Sequence, residues 1–340
     1  MPCPYSLANG KGKARKMDKY LLKCFALATG VLPEKLWRAA YSLADEEKEK
    51  AEEFRIRLGR PFCATVAGET KTLCLDGLPV TVTKEDIERC MELATKSSVH
   101  AYSHQIKQGF IALPYGGRMG ICGSLIQDGE VRTITEISSL NIRIARQISG
   151  VSNEIFNMIN WDKSPGILII SKAGGGKTTF LRDIISKMSG SGIRTGLCDE
   201  RYEIASCSGG KPYYDVGNNT DIISGGNKQS AADILIRTMS PEYIAFDEIT
   251  QQNDAETLVK SSYMGASLIA TAHCGSIDEL YKRNIYKSVM QADIFDYIIK
   301  IQRKDKGREI ILYEKGGQDG KANRNSDDNR FVRIFRKLHI

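Results

Sequence analysis

A chain of 340 residues with 41% apolar and 26% charged residues has the balance of a soluble globular protein, which excludes a disordered or collagen-like chain. At roughly 150 residues per domain it holds about two domains, each large enough to bury its own core. The net charge of +7 permits an anionic partner such as nucleic acid, nucleotide or a lipid surface without demanding one. Nine cysteines are scattered without a C-x-x-C pair or a Cys/His cluster at zinc spacing, a pattern that predicts a reducing, cytosolic setting. No apolar run approaches the ~18 residues of a membrane span. Positions 11 to 32 start basic and turn apolar, but Lys23 interrupts them and no cleavage pattern follows, so they read as a first helix rather than a signal peptide.

In chain order, Leu21, Leu22, Phe25 and Leu27 suit a helix that stops at Gly30, and a second short helix follows Pro33 through Leu36 and Trp37. Phe54 to Leu58 then alternates at period two, and Phe62 to Val66 and Thr72 to Leu75 are further short strands bounded by Gly and Pro. A helix opens at Lys84 behind the cap Thr83, and Gly109 to Leu113, Arg118 to Ile126 and Leu140 to Ala145 read as strands between glycine turns. This describes a smaller α+β domain, residues 1–150.

Beyond it strand and helix alternate: strand Ile167 to Ile170, helix Lys177 to Met188, strand Thr195 to Cys198, helix Ala231 to Met239, strand Tyr243 to Phe246, helix Asp254 to Ser262, strand Ser267 to Ala270. That rhythm predicts an α/β fold with a mainly parallel sheet over residues 151–315. Ile298 to Ile301 and Glu309 to Tyr313 flank a polar turn and predict a closing hairpin. Residues 316–340 read as a flexible polar segment followed by a basic peripheral tail from Phe331.

The strongest chemical signal is Ser171-Lys172-Ala173-Gly174-Gly175-Gly176-Lys177-Thr178-Thr179, which follows a buried-type strand and opens a helix. A phosphate-binding loop needs that context. Gly174, Gly175 and Gly176 let backbone N–H groups wrap an anion, and the helix beginning near Lys177 adds its positive end. Lys177 reaches the outer phosphates and Thr178 can ligate Mg²⁺. Ser171 stands where the common pattern has Gly, which predicts a turn out of the strand that is built differently.

A second acidic element is expected on a neighbouring strand, and Tyr243-Ile244-Ala245-Phe246-Asp247-Glu248 supplies an apolar run ending in two carboxylates. Asp247 is the expected Mg²⁺ residue. Glu248 is the expected base that polarises the attacking water, a role typically worth ~10²–10⁴ in rate. Many buried strands end in a solvated Asp-Glu pair; downstream of the loop and one helix before another strand, the joint pattern is that of an ATPase with ATP and Mg²⁺ as cofactors.

Two further strand ends point to the same rim, because ligands of open α/β sheets gather at the carboxyl ends of the strands. Asp199-Glu200-Arg201-Tyr202-Glu203 follows one strand and Thr271-Ala272-His273 ends another. Glu200 and Glu203 read equally as a capped helix start or as catalytic carboxylates, and His273 as a sensor of the γ-phosphate or a hydrogen-bonded strand end. Arg201 and Arg237 are arginine-finger candidates for which a surface ion pair is the default. In the first domain, Gly116-Gly117-Arg118 lacks a following helix and reads as a hairpin or interface loop. Arg55, Arg57 and Arg60 interleave with apolar residues as a solvated strand face or a basic face toward a partner chain or nucleic acid.

Together with Glu53-Phe54-Arg55-Ile56-Arg57-Leu58-Gly59-Arg60-Pro61, Ser138 to Arg146, Asp199 to Ala205, Arg237-Thr238-Met239-Ser240-Pro241-Glu242 and Thr271-Ala272-His273, these motifs resemble the stage III sporulation protein AA family, relatives of the hexameric ATPases of type II and type IV secretion. The resemblance runs from about Leu32 to Tyr313. It implies a RecA-like P-loop ATPase domain behind an N-terminal domain that packs on a neighbouring subunit to form a ring. It also implies a cytoplasmic, membrane-peripheral location on the mother-cell side, and membrane proteins of the channel between mother cell and forespore as partners. Under the resemblance Glu200 and Glu203 act beside Glu248, and His273 matches a histidine box. The Gly116-Gly117-Arg118 stretch departs from the family pattern in lacking a His before its Arg. An alternative reading is a nucleic-acid-associated P-loop ATPase whose first domain binds RNA or DNA; salt-dependent stimulation of hydrolysis by nucleic acid distinguishes it. A third is a nucleotide-binding scaffold with negligible turnover.

Overall fold

The computed structural model describes residues 18–113, 115–128, 131–207, 210–304, 307–316 and 331–339. The chain divides into two compact units, Met1–Arg146 and Gln147–Ile340.

In the first unit, α1 (Lys19–Thr29) starts on Asp18, whose carboxylate accepts the N–H groups of Tyr20 and Leu21. It is followed by α2 (Glu34–Tyr41) and α3 (Asp45–Lys50). The strands are β1 (Ala51–Arg57), β2 (Cys63–Val66), β3 (Glu69–Thr72), a small pair β4 (Cys74–Leu75) and β5 (Leu78–Pro79), and then β6 (Phe110–Ala112), β7 (Arg118–Asp128) and β8 (Val131–Arg143). Between β5 and β6 lie α4 (Lys84–Thr95), with a capping box of Thr83 and Asp86, and α5 (Ser103–Lys107). Six strands form an antiparallel sheet in the order β3-β2-β1-β8-β7-β6. Alternation along β1 buries Phe54 and Ile56, and the Phe54 ring meets Phe25 of α1 edge-on at 5.5 Å and Phe62 at 5.8 Å. The expected strand over Thr72 to Leu75 is divided, because Leu73 turns into the core between β3 and β4. Gly116-Gly117-Arg118 is a tight β6–β7 connection, in which Leu113 N–H donates to Gly117 and Gly116 N–H to Leu113. A side chain on Gly117 would overlap the Tyr115 ring.

In the second unit, α6 (Asn153–Met158) precedes β9 (Ile167–Ser171), α7 (Lys177–Gly190), β10 (Thr195–Asp199), β11 (Thr220–Ser224), α8 (Lys228–Met239), β12 (Tyr243–Ile249), α9 (Gln252–Tyr263) and β13 (Ser267–His273). Helices α10 (Ile277–Lys282) and α11 (Asn284–Gln291) lead to β14 (Tyr297–Lys304), β15 (Gly307–Lys315) and β16 (Phe331–His339). The eight-stranded sheet has the order β11-β10-β12-β13-β9-β14-β15-β16. From β11 to β14 all neighbours are parallel, and β15 and β16 close it antiparallel. Period-two alternation sends Ile167 and Ile169 of β9 to the face covered by α7, where Phe180, Leu181, Ile184 and Met188 pack. Leu168 and Ile170 face the other layer, with Leu235 of α8 and Leu258 of α9. Both faces are dry, which is why the strands read as continuous apolar runs.

One expectation is corrected here, and one strand is added. Phe331–His339 is no peripheral tail: it pairs with β15 over the length of that strand and buries Phe331, an outcome its alternation of apolar and basic residues allows. The polar segment before it lies, in its residues 317–330, outside the described residues. Strand β11 was not foreseen, because Thr220-Asp221-Ile222-Ile223-Ser224 is a half-exposed edge strand without a dense apolar run. Among the described residues no helix is long and apolar enough to cross a membrane, and the eight described cysteines are free thiols.

Candidate nucleotide site

The loop between β9 and α7 is shaped by its glycines. Gly174 and Gly176 have φ of +70° and +103°, in the left-handed region that favours glycine. Gly175 is excluded from carrying a side chain by contact instead: a Cβ there would overlap the Ser171 hydroxyl. That hydroxyl donates to the Lys172 carbonyl at 3.0 Å, so Ser171 builds the turn that Gly builds in the common pattern. Helix α7 begins on Gly176 with no capping side chain, as α2, α6 and α11 also begin without one; what sets α7 apart is the glycine loop in front of it. The first N–H groups of α7 are therefore left to an incoming acceptor, and the helix dipole favours an anion.

Lys177 is buried and its ammonium donates to the Ser171 carbonyl at 3.3 Å. It also lies 3.7 Å from Glu248 Oε1. His273, opposite Ser171 in the β9–β13 register, brings Nδ1 to 3.8 Å from the same oxygen, and Arg201 Nη1 stands 3.8 Å from Oε2. Three donors from three different strand ends thus converge on one carboxylate, each just beyond direct hydrogen-bond range.

Asp247 and Glu248 are adjacent in sequence and unlike in environment. The β12–β13 register shifts between Phe246 and Glu248, and this bulge re-aims the two side chains. Thr271 Oγ1 donates to the Asp247 carbonyl, and the Asp247 side chain is buried while Glu248 is about a quarter exposed, 23%. Burial, and then the charges of Glu203, Asp199 and Glu248, push the Asp247 carboxyl up to about 7, with Lys228 pulling the other way. The carboxylates crowded around Asp247, and Thr178 on the first turn of α7, are oxygen donors of the kind a divalent cation takes. Among the described residues no three His, Cys, Asp or Glu side chains form a metal cluster by themselves.

The segment after β10 is not a capped helix start. It wraps around Asp199, whose buried carboxylate accepts the N–H groups of Glu203 (2.9 Å), Ile204 (3.1 Å), Ala205 (3.0 Å) and Ser206 (3.3 Å). Arg182 of α7 braces it from behind, donating to the carbonyls of Ile204 and Glu203 at 2.7 and 2.5 Å and stacking on Tyr214. Glu200 is held by Lys228, a side chain only 3% exposed that also reaches Asp254 at 3.3 Å. Glu203 stays near enough to raise the Asp247 carboxyl. Arg237 sits exposed in the last turn of α8, ahead of the amino end of β12, and so apart from Glu248 within one chain. Arg55 of the first unit is paired with Glu53 at 2.5 Å, which spends one of the three charges of the proposed basic face.

Beside the loop is a cavity of about 280 Å³ lined by Ile148, Val151, Phe180, Ile301 and Ile310, with Gly176, Thr179 and Arg308 at its loop side. Neither it nor Asp199, Lys228, Asp254 and Arg308 was singled out from the sequence. Lys228 alone had a local signal, following Gly225-Gly226-Asn227, a turn and cap at a strand end.

These features define a P-loop ATPase fold: a RecA-like α/β domain with a mainly parallel sheet, preceded by a smaller α+β domain. Two solved structures share it, the ATPase DotB of Legionella pneumophila (TM-score 0.54, 13% identity, covering 83% of this chain and 82% of that one) and the pilus retraction motor PilT with bound ADP (TM-score 0.52, 15% identity, 78% and 80%). Residues 32–319 match the family described as Sporulation stage III, protein AA, and the chain belongs to that family. It is similar to the stage III sporulation protein AA of Bacillus subtilis (strain 168), with 32% identity over 295 residues that cover 84% of this chain and 94% of the relative.

Proposed function

We propose that the chain hydrolyses ATP and acts as the motor of a secretion-like channel complex between mother cell and forespore in sporulation. The carrying observation is the convergence of Lys177, Arg201 and His273 on Glu248 at the mouth of an uncapped, glycine-lined helix. In this reading the N–H groups of residues 174–178 and the Lys177 ammonium hold the β- and γ-phosphates. Glu248 polarises the attacking water and accepts its proton, a contribution of roughly 10²–10⁴ in rate. Arg201 and His273 stand where they stabilise charge on the terminal phosphate or orient that water. Thr178 and Asp247 would hold Mg²⁺, which supplies neutralisation of phosphate charge. The cavity beside Thr179 has the size and apolar lining of a nucleobase site.

The shared fold with DotB and PilT, and membership in a sporulation family, support a ring of identical subunits, hexameric by analogy, peripheral to the membrane on the mother-cell side. Channel membrane proteins would then be its partners, and Arg237 a candidate to act across a subunit boundary. The test is steady-state ATP hydrolysis against protein concentration, with light scattering for mass, for wild type and Glu248→Gln, with and without single-stranded nucleic acid. Turnover that rises with assembly, ignores nucleic acid and disappears in the variant is the expected result. Activity seen only with nucleic acid would transfer the reading to a nucleic-acid-associated ATPase, and wild-type turnover by Glu248→Gln would remove that residue from the mechanism.

A further inference from the structure

Arg308, the second residue of β15, belongs to no phosphate-loop motif, yet its guanidinium lies against that loop. Its Nε–H donates to the Gly175 carbonyl at 3.0 Å. A Cβ built on Gly176 would meet Arg308 Nε at 3.1 Å and Cδ at 3.5 Å, so the arginine packs directly over the glycine that starts α7. The same side chain forms part of the cavity wall, where it is the charged member of a lining made otherwise of Ile148, Val151, Phe180, Ile301 and Ile310 and small residues. Its Nη groups make no hydrogen bond or ion pair among the described residues. The Nε edge of the guanidinium is therefore spent on the loop, while the side chain, exposed to solvent, forms part of the wall of an apolar space that adjoins the phosphate cradle.

On the nucleotide reading above, we infer that Arg308 is the residue that recognises the nucleoside half of the ligand. A flat, electron-rich ring that fills the cavity is attracted by a guanidinium laid on its face, and the Nη donors add hydrogen bonds to ring or ribose acceptors. The anchoring bond to Gly175 fixes the guanidinium in place, so little side-chain freedom is lost on binding. The consequence is a division of labour: the loop and Lys177 bind phosphates, and Arg308 with the apolar wall makes the site prefer a nucleotide over a bare polyphosphate.

The experiment is calorimetric titration of the full chain with ADP and, separately, with inorganic tripolyphosphate, for wild type, Arg308→Gln and Val151→Phe. Arg308→Gln should weaken ADP roughly tenfold while tripolyphosphate changes by less than about twofold. Val151→Phe, which fills the cavity without touching the arginine's charge, should show the same selective loss. Equal losses for both ligands would make Arg308 a brace of the phosphate loop alone and overturn the inference, as would unchanged ADP binding in both variants. Wild-type protein that binds tripolyphosphate but not ADP overturns it too. Wild-type protein that binds neither ligand defeats the nucleotide reading itself.

Discussion

Ser171 and Gly175 are sterically matched: the serine hydroxyl occupies the space that a methyl group on residue 175 would need. Gly175 is not in the left-handed region, so its backbone would accept alanine; the Ser171 side chain is the severe obstacle and the Lys172 carbonyl, 3.1 Å from the added Cβ, the lesser one. Gly175→Ala should therefore destabilise the second unit by about 1–3 kcal/mol, and Ser171→Gly in the same chain should restore much of that loss. Urea denaturation of the two single variants and the double variant measures the coupling. Simple additivity would mean that the Lys172 carbonyl, and not the hydroxyl, is the obstacle.

Lys177 and Glu248 should separate binding from turnover. Lys177→Ala removes the cation that the loop encloses and should abolish nucleotide binding, whereas Glu248→Gln should keep binding and lower turnover by about 10²–10⁴. Glu248→Gln should also hold more of the protein in an assembled, ATP-bound form, which light scattering with ATP reports.

Lys228 joins three strand-end segments through Glu200 and the Asp254 carboxylate that caps α9. Removing it leaves buried Asp254 and half-buried Glu200 facing each other without a counter-charge. Lys228→Met should cost about 3–5 kcal/mol in a denaturant titration. Glu200→Gln, at a more exposed position, should cost less than half as much. Equal costs would argue that Asp254 is satisfied by Thr250 and Gln251 alone.

Thiol chemistry provides an independent check on packing. Burial pushes the Cys90 and Cys198 thiols up to about 12 and the Cys274 thiol up to about 11, so at pH 8 they carry almost no thiolate. Cys122 is exposed on β7. Among the eight described cysteines, native protein treated with a disulfide reagent at pH 8 should label Cys122 first and leave Cys90 and Cys198 untouched until denaturant is added.

The parallel sheet and its phosphate loop were legible because buried strands are apolar throughout and because Gly-Lys-Thr after such a strand has few other uses. The approach of Lys177 to Glu248 is what that pattern leads one to expect. Glu200 was harder to read. Its partner Lys228 lies a strand away, and nothing in Asp199-Glu200-Arg201 says that the first carboxylate will be consumed by four backbone N–H groups and the second by a lysine. The distinct environments of Asp247 and Glu248 depend on a β-bulge, which has no marker in Tyr243 to Ile249. Arg308 was invisible for a different reason: a hairpin brings it back across the sheet to a loop far away in sequence.

A helix that begins on Gly176 has no capping group of its own, so the completion of its first turn is delegated to solution chemistry. Fold stability and site occupancy then become one equilibrium: any anion that fits adds RT ln(1 + [L]/Kd) to the unfolding free energy, and the melting temperature rises with its concentration. A melting curve taken across a series of phosphates would in that case serve as a thermometer of occupancy that needs no turnover.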